Sequence, residues 1–149
     1  MNAMNETQTP PRVLVICDQS DTAPIWGYII REKGLIAVLE TNPQRALTRC
    51  VEISPELIII DVNGAHEERL ELCRLFRAQS ASPLLLFLPA SNEVEILDAY
   101  QAGVDECVIK PVSPAVFLAK ILAWVRRGKI SAAGDDQSPV VSLTLDPQR

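Results

Sequence analysis

Histidine occurs once in this chain, and its four cysteines (Cys17, Cys50, Cys73 and Cys107) lie far apart, with no C-x-x-C among them. A zinc site needs clustered thiolate or imidazole ligands, so this scarcity excludes one. The thiols read instead as buried, reduced side chains of a cytoplasmic protein. A basic excess is missing too. Asp and Glu number 19 against 14 Lys and Arg, for a net charge of −5, and a chain without a dense Lys/Arg block is a poor DNA binder by itself. The purest apolar runs, Leu57 to Ile60 and Leu84 to Leu88, are far too short to span a bilayer. Residues 1–11 lack the basic and apolar regions of a signal peptide. What is present is ordinary for a soluble domain: 149 residues, 48% apolar and 22% charged, enough for a full core without disulfide or metal staples.

Along the chain the ends differ from the middle. Residues 1–11 are polar and close on two prolines, which reads as a disordered tail. The stretch from Gly128 to Pro139 (GKISAAGDDQSP) is small, polar and broken by Gly and Pro, a linker composition. Residues 12–127 alternate strand and helix signals. Val13–Ile16, Ile36–Leu39, Leu57–Ile60, Leu84–Leu88 and Cys107–Ile109 are expected strands. The first helix has Pro24 in its first turn, Ile25 and Ile29 one turn apart, and Gly34 to end it. The second is capped by Asn42 with Pro43 behind it, and Leu47, Cys50 and Val51 are its expected inner stripe. The third runs through Leu72, Leu75 and Phe76. Asn92 and Glu95 resemble a capping box for the fourth, which stops at Gly103. Ser113-Pro114 opens the last, with Phe117, Ile121, Trp124 and Val125 at helical spacing. Continuously apolar strands imply a parallel sheet covered on both faces. Right-handed crossovers then give an α/β, flavodoxin-like, doubly wound (βα)5 sandwich with strand order 2-1-3-4-5.

In such a sheet, ligands bind beyond the carboxyl ends of the strands, where strand order reverses. The residues standing there are Cys17 and Asp18 after the first strand and Asp61, Val62 and Asn63 after the third. The fourth contributes Leu88 and Pro89, and the fifth Lys110 and Pro111. Asp18 and Asp61 are expected to face each other across the first and third strands, with Lys110 reaching in. Two carboxylates in a crevice repel, and a hard divalent cation with an ammonium relieves them. Magnesium takes one or two carboxylates, several waters and a phosphoryl oxygen. The set therefore suits transfer of a phosphoryl group onto a carboxylate. Asp61 would be the nucleophile, Asp18 and the backbone carbonyl of Asn63 further metal ligands, and Lys110 the offset for phosphoryl charge. Each residue singly is as readily a turn former or an exposed charge; the combination at three strand ends is specific.

At these residues the chain resembles the receiver domains of two-component response regulators. The likeness runs from Arg12 to Arg127 through VLVICD, PELIIID, LELCRLFRA, SPLLLF, AGVDECVIKP and SPAVFLAKILAWVRR. The resemblance implies a phosphoacceptor signalling domain rather than an enzyme, whose own chemistry is at most self-phosphorylation from small donors and self-dephosphorylation. Asp61 matches the phosphorylated aspartate, Asp18 a magnesium-binding acid, Asn63 the residue lending its carbonyl and Lys110 the conserved-type lysine, with a cis bond before Pro111. It implies a histidine kinase as phosphodonor. The final stretch, VSLTLDPQR with Val140–Leu145 alternating, resembles the opening strand of a winged-helix output domain. DNA would then be reached only through a domain downstream. The same subfamily dimerises through its fourth helix, fifth strand and last helix. There Glu106 and Lys120 match one charged pair, and apolar Ile96 and Val116 stand in for another.

The departures weaken the switch. Cys17 replaces the first of two acids, which removes one anionic charge and should weaken magnesium binding. Leu88 stands where the family has a Thr or Ser hydroxyl, and Cys107 where it has an aromatic. The loop after Asp61 reads Gly64-Ala65-His66-Glu67 instead of Met-Pro-Gly, with His66 expected on the solvent surface. Two alternatives follow: a phosphorylation-independent pseudo-receiver acting as a dimerisation module, and, more distantly, a flavin-binding or small hydrolytic enzyme on the same fold. Gln19-Ser20-Asp21-Thr22 lacks the glycine of a flavodoxin phosphate loop, and Asn63 replaces the second acid of aspartyl phosphatases, both of which oppose the latter.

Overall fold

Strands that are apolar at every position must bury both faces, and this chain covers both. The computed structural model describes residues 9–133. Within them lie β1 (Arg12–Cys17), α1 (Ala23–Glu32), β2 (Ile36–Glu40), α2 (Pro43–Ile53), β3 (Leu57–Asp61), α3 (His66–Gln79), β4 (Leu84–Leu88), α4 (Glu93–Gln101), β5 (Glu106–Ile109) and α5 (Pro114–Ala133). The strands form one parallel sheet in the order β2-β1-β3-β4-β5, as the sequence implies. The three inner strands β1, β3 and β4 are the continuously apolar ones. Their side chains are buried almost throughout, whereas those of the edge strands β2 and β5 are mostly half-buried.

Because strand side chains alternate, residue parity decides which face each one joins. Val13, Val15, Cys17, Leu57, Ile59, Leu85 and Phe87 pack beneath α1 and α5 with Trp26, Ile30, Phe117 and Ile121. Leu14, Ile16, Ile58, Ile60, Leu84, Leu86 and Leu88 pack beneath α2, α3 and α4 with Leu47, Cys50, Leu70, Cys73, Phe76 and Ala99. Asp61 continues the parity of Leu57 and Ile59, which sends its carboxylate to the α1–α5 face. On that face Trp26 stacks on Phe117 at 4.1 Å between ring centroids and meets Phe87 edge-on at 5.7 Å.

Helix starts follow the sequence signals. The Asn42 side chain accepts from Gln44 N at 2.8 Å and Arg45 N at 3.1 Å, and Asn92 accepts from Glu95 N at 3.0 Å. At the end of α4, Gly103 has φ of +107°, and a Cβ there would sit 2.8 Å from Arg77 Cγ, so this turn requires glycine. Arg77 fastens it, donating to the Gly103 carbonyl at 2.8 and 3.0 Å and to Asp105 Oδ2 at 2.7 Å.

Each of three expected stripes has one residue misplaced. Ile25 is exposed, while Trp26 and Ile30 are buried; Val51 is exposed, while Ala46, Leu47 and Cys50 are buried; Leu75 sits at the solvent edge beside buried Leu72 and Phe76. Each residue advances a helix by about 100°, so an apolar residue one step from the stripe lies on its rim. The last helix also continues through Ala133, past the linker start expected at Gly128. A lone glycine costs a helix only about 1 kcal/mol, and no proline follows it before the helix ends. The tail expected over residues 1–11 lies mostly outside the described residues, as do the rest of the linker and the Val140–Leu145 strand.

Candidate functional site

Register and parity bring Cys17 and Asp61 side by side: they are direct partners at the ends of β1 and β3, pointing to the same face. Asp61 is 1% exposed. A buried carboxylate needs donors to offset its lost hydration, and it has two strong ones beside a thiol whose one hydrogen is shared with the Gln19 carbonyl at 3.7 Å. Lys110 Nζ donates to Oδ1 at 2.9 Å, Trp26 Nε1 donates to Oδ2 at 2.9 Å, and the Cys17 thiol lies 3.8 Å from Oδ2. Lys110 arrives from the end of β5, its backbone N–H held by the Leu88 carbonyl at 2.9 Å, and the bond before Pro111 is cis, as expected.

Asp18 stands just past the end of β1. It is exposed, and its carboxylate accepts the Asn63 backbone N–H at 3.1 and 3.2 Å. Gln19 joins it to Asp61: its side-chain amide donates to Asp18 and, at 3.0 Å, to the Asp61 carbonyl, while its Oε1 lies 3.4 Å from Lys110 Nζ. Cys17, the last residue of β1, is the one in direct register with Asp61, and Asp18 follows the strand end. Burial pushes the Cys17 thiol up to about 11, the neighbouring Asp61 and Asp18 charges adding to the rise against a backbone hydrogen bond at Gln19 and the charge of Lys110. It is therefore neutral at pH 7 and no acid in disguise. Among the described residues no group of three or more His, Cys, Asp or Glu side chains is placed to hold a metal ion. The oxygens of Asp18 and Asp61 and the Asn63 carbonyl are chemically suited to a hydrated magnesium ion, which needs only one or two carboxylates.

Asp61 and Lys110 also line a cavity of about 250 Å³ together with Asn63, Gly64, Arg69, Phe87 and Pro89. Leu88 is fully buried and packs in the core beneath α2–α4, so it takes no part in that wall. Cys107 is half-buried; its backbone N–H donates to the Tyr100 hydroxyl at 3.1 Å.

The other expected residues separate into two groups. Glu106 and Lys120 pair within the chain at 2.5 Å, and Trp124 Nε1 adds a bond to Glu106 at 2.6 Å. Burial would raise the Glu106 carboxyl, but these hydrogen bonds and the Lys120 and Arg127 charges outweigh it and hold it below the usual carboxylate range. Ile96 packs partly against the core; the outward apolar residues of α4 are Val94, Leu97 and Tyr100, facing solvent as Val116 of α5 does. His66 is not free surface. It opens α3 with its side chain 17% exposed and Nε2 3.2 Å from Asp98, because α4 packs directly over it.

Trp26, Gln19 and Arg69 are the site residues that sequence reasoning missed. Trp26 had a usable signal, since it and Ile30 are one helical turn apart just after the first strand. Gln19 and Arg69 had none.

A family model described as the response regulator receiver domain matches residues 13–122. The chain is 26% identical over 134 residues to the DNA-binding response regulator MtrA of Mycolicibacterium paratuberculosis, covering 90% of this chain and 56% of the relative. It is likewise 26% identical to the sensory transduction protein RegX3 of Mycobacterium bovis, covering 90% and 57%. The chain thus spans somewhat over half the length of these relatives. In structure it is similar to a two-component response regulator from Clostridium difficile, with TM-score 0.72, 24% identity and coverage of 78% of this chain and 97% of that one. A CheY-like receiver domain protein from Methanospirillum hungatei gives TM-score 0.73 at 17% identity, covering 81% and 98%. At these identities the structures speak to the fold.

Proposed function

Because this chain belongs to the response regulator receiver domain family, we propose that it accepts a phosphoryl group from a partner histidine kinase on Asp61 and thereby controls an output, transcription, through a DNA-binding domain beyond its own residues. One observation carries this reading: a carboxylate 1% exposed at the carboxyl end of the central strand, paired with a lysine at 2.9 Å in a cavity open to a small group. In the transfer, an Asp61 oxygen attacks phosphorus and forms an O–P bond. The bond from phosphorus to the donor nitrogen, or to acetate in acetyl phosphate, breaks with its electron pair leaving on the donor. Lys110 offsets charge on the phosphoryl oxygens, and Gln19 fixes where Lys110 can reach. Magnesium, held by Asp18, Asp61 and the Asn63 carbonyl, would supply further neutralisation of that charge; the loss of an acid at Cys17 weakens its hold.

A second reading is favoured by Leu88, sunk in the core with no hydroxyl to offer, and by the exposed Val94, Leu97, Tyr100 and Val116: a pseudo-receiver that dimerises through α4, β5 and α5 without phosphate. Intact mass after incubation with acetyl phosphate and magnesium separates the two. The first reading expects a gain of one phosphoryl group that Asp61→Asn abolishes. No gain in folded protein, with sedimentation showing a dimer regardless, rejects it for the second.

A further inference from the structure

Arg69 is a buried charge with only a long ion pair, 3.9 Å to Glu95, to match it. Its side chain is 5% exposed, and it lines the same cavity as Asp61 and Lys110. A guanidinium carries five N–H donors, and a buried one is ordinarily paired with an anion. Here Nη1 donates to the Gly64 carbonyl at 2.7 Å, Nε is buried with no partner, and the paired carboxylate oxygen, Glu95 Oε1 of α4, stays at 3.9 Å from Nη2. Asp61 is already matched by Lys110 and Trp26. The β4 wall of the cavity is Phe87 and Pro89, neither of which has a polar side chain, and proline has no N–H. The cavity is therefore lined by one carboxylate and two cations, and the second cation, Arg69, has only a long ion pair to Glu95.

We infer that Arg69 is the second cation of this cavity: it ligates the oxygens of a phosphoryl group on Asp61, or of a free phosphate-like anion in the same place, and loosens its hold on Glu95 as it does so. The inference rests on the phosphoacceptor reading for its ligand's covalent form, though not for the anion chemistry. Arg69 joins the acceptor loop, through Gly64, to α4, through Glu95. His66 stands on the same seam, its Nδ1 4.0 Å from Glu95 and its Nε2 3.2 Å from Asp98. An anion that draws Arg69 away leaves Glu95 to His66 and alters the contact between α3 and α4. This route to the exposed face of α4 needs neither a hydroxyl at Leu88 nor an aromatic at Cys107.

The test uses the whole chain in two arms. In the first, acetyl phosphate with magnesium labels wild type, Arg69→Gln and Arg69→Lys. The expected result is labelling at least about tenfold slower in Arg69→Gln, with most of the rate kept by Arg69→Lys. In the second, sulfate is titrated into Asp61→Asn, which cannot form an acyl phosphate, and followed by the Trp26 indole and the Glu95 and Asp98 amide resonances. Adding Arg69→Gln should weaken sulfate about tenfold and abolish the α4 shifts; adding Glu95→Gln instead, which frees the guanidinium, should tighten it about threefold. A merely structural Arg69 would not give that gain. Labelling and sulfate binding that ignore Arg69 overturn the inference and leave the acceptor reading standing. A wild type that takes no label, with sulfate still held through Arg69, removes the acceptor reading and keeps Arg69 as a ligand for free anion. Should Arg69→Gln not fold, Glu95→Gln decides, and no gain overturns the inference.

Discussion

Trp26→Phe separates what holds Asp61 from what fills the core. The substitution keeps a ring between Phe87 and Phe117 but removes the Nε1–H that donates to Asp61 Oδ2 at 2.9 Å. A hydrogen bond to a charged group contributes about 1.5–3 kcal/mol, and shrinking the ring adds about 1 kcal/mol of lost packing. The single variant should therefore lose about 2.5–4 kcal/mol. In an Asp61→Ala background only the packing part remains, or less, since there the indole N–H is already orphaned. The coupling between the two positions should come to about 1.5–3 kcal/mol. Urea unfolding of the four proteins, followed by far-UV circular dichroism because one of the tryptophans is being removed, measures it. Asp61→Ala alone takes away a carboxylate that is 1% exposed and costly to desolvate, but it orphans the indole N–H and unpairs Lys110, so a loss of about 1–3 kcal/mol is expected. A coupling below about 0.5 kcal/mol would refute the claim that the tryptophan holds the acceptor.

Two further outcomes follow from the same geometry. Cys17→Asp places a carboxylate in direct register with Asp61 and should tighten magnesium about tenfold in a fluorescence titration, while lowering stability without the metal; unchanged affinity would show that the missing acid is not what limits the site. Glu106 has its carboxyl held below its ordinary value of 4.5, so its contribution to stability is present above that pH and is lost as pH falls through the lowered value. Glu106→Gln should thus be less stable than wild type near neutrality and converge with it in acid, as thermal unfolding across pH 3–7 would record; parallel curves would contradict the assignment.

The strand order and helix starts were legible because they rest on local chemistry: continuously apolar runs, Asn-Pro and Asn-x-x-Glu caps, Gly34 and Gly103 as stops. Asp61 and Lys110 were legible because each directly follows a strand, where the fold itself says to look. Contacts between elements were not. Nothing local says that the amide of Gln19 reaches back to the Asp61 carbonyl, or that α4 lies over His66 and brings Asp98 within 3.2 Å of its ring. The stripe errors at Ile25, Val51 and Leu75 have a common origin. Aliphatic residues occur on both sides of a stripe's rim, and only the packing of a neighbouring element chooses between them. The pairing of Asp18 with the Asn63 N–H was hidden for the opposite reason. Proximity at a strand end was visible, but a backbone N–H as the Asp18 partner was not, because no side-chain pattern announces a main-chain donor.

The charges in the cavity show what these substitutions do together. A site with two acids after the first strand and one after the third is strongly negative and recruits a cation before it can recruit a phosphoryl group. Here one acid is a thiol that stays neutral, and the other faces solvent and is occupied by a backbone N–H. The buried carboxylate is shared among a lysine, an indole and that thiol, with the Arg69 guanidinium lining the same space. The balance has moved from cation-attracting toward anion-attracting. Lys110 and Arg69 can then supply from the protein part of the neutralisation that magnesium would otherwise bring, because a fixed cation in a water-poor cavity acts on phosphoryl oxygens without the dehydration that a magnesium ion must undergo. On this view Cys17 marks a redistribution of charge around Asp61 and not simply a loss, and labelling by acetyl phosphate should depend on magnesium less steeply in wild type than in Cys17→Asp; equal dependence would refute it.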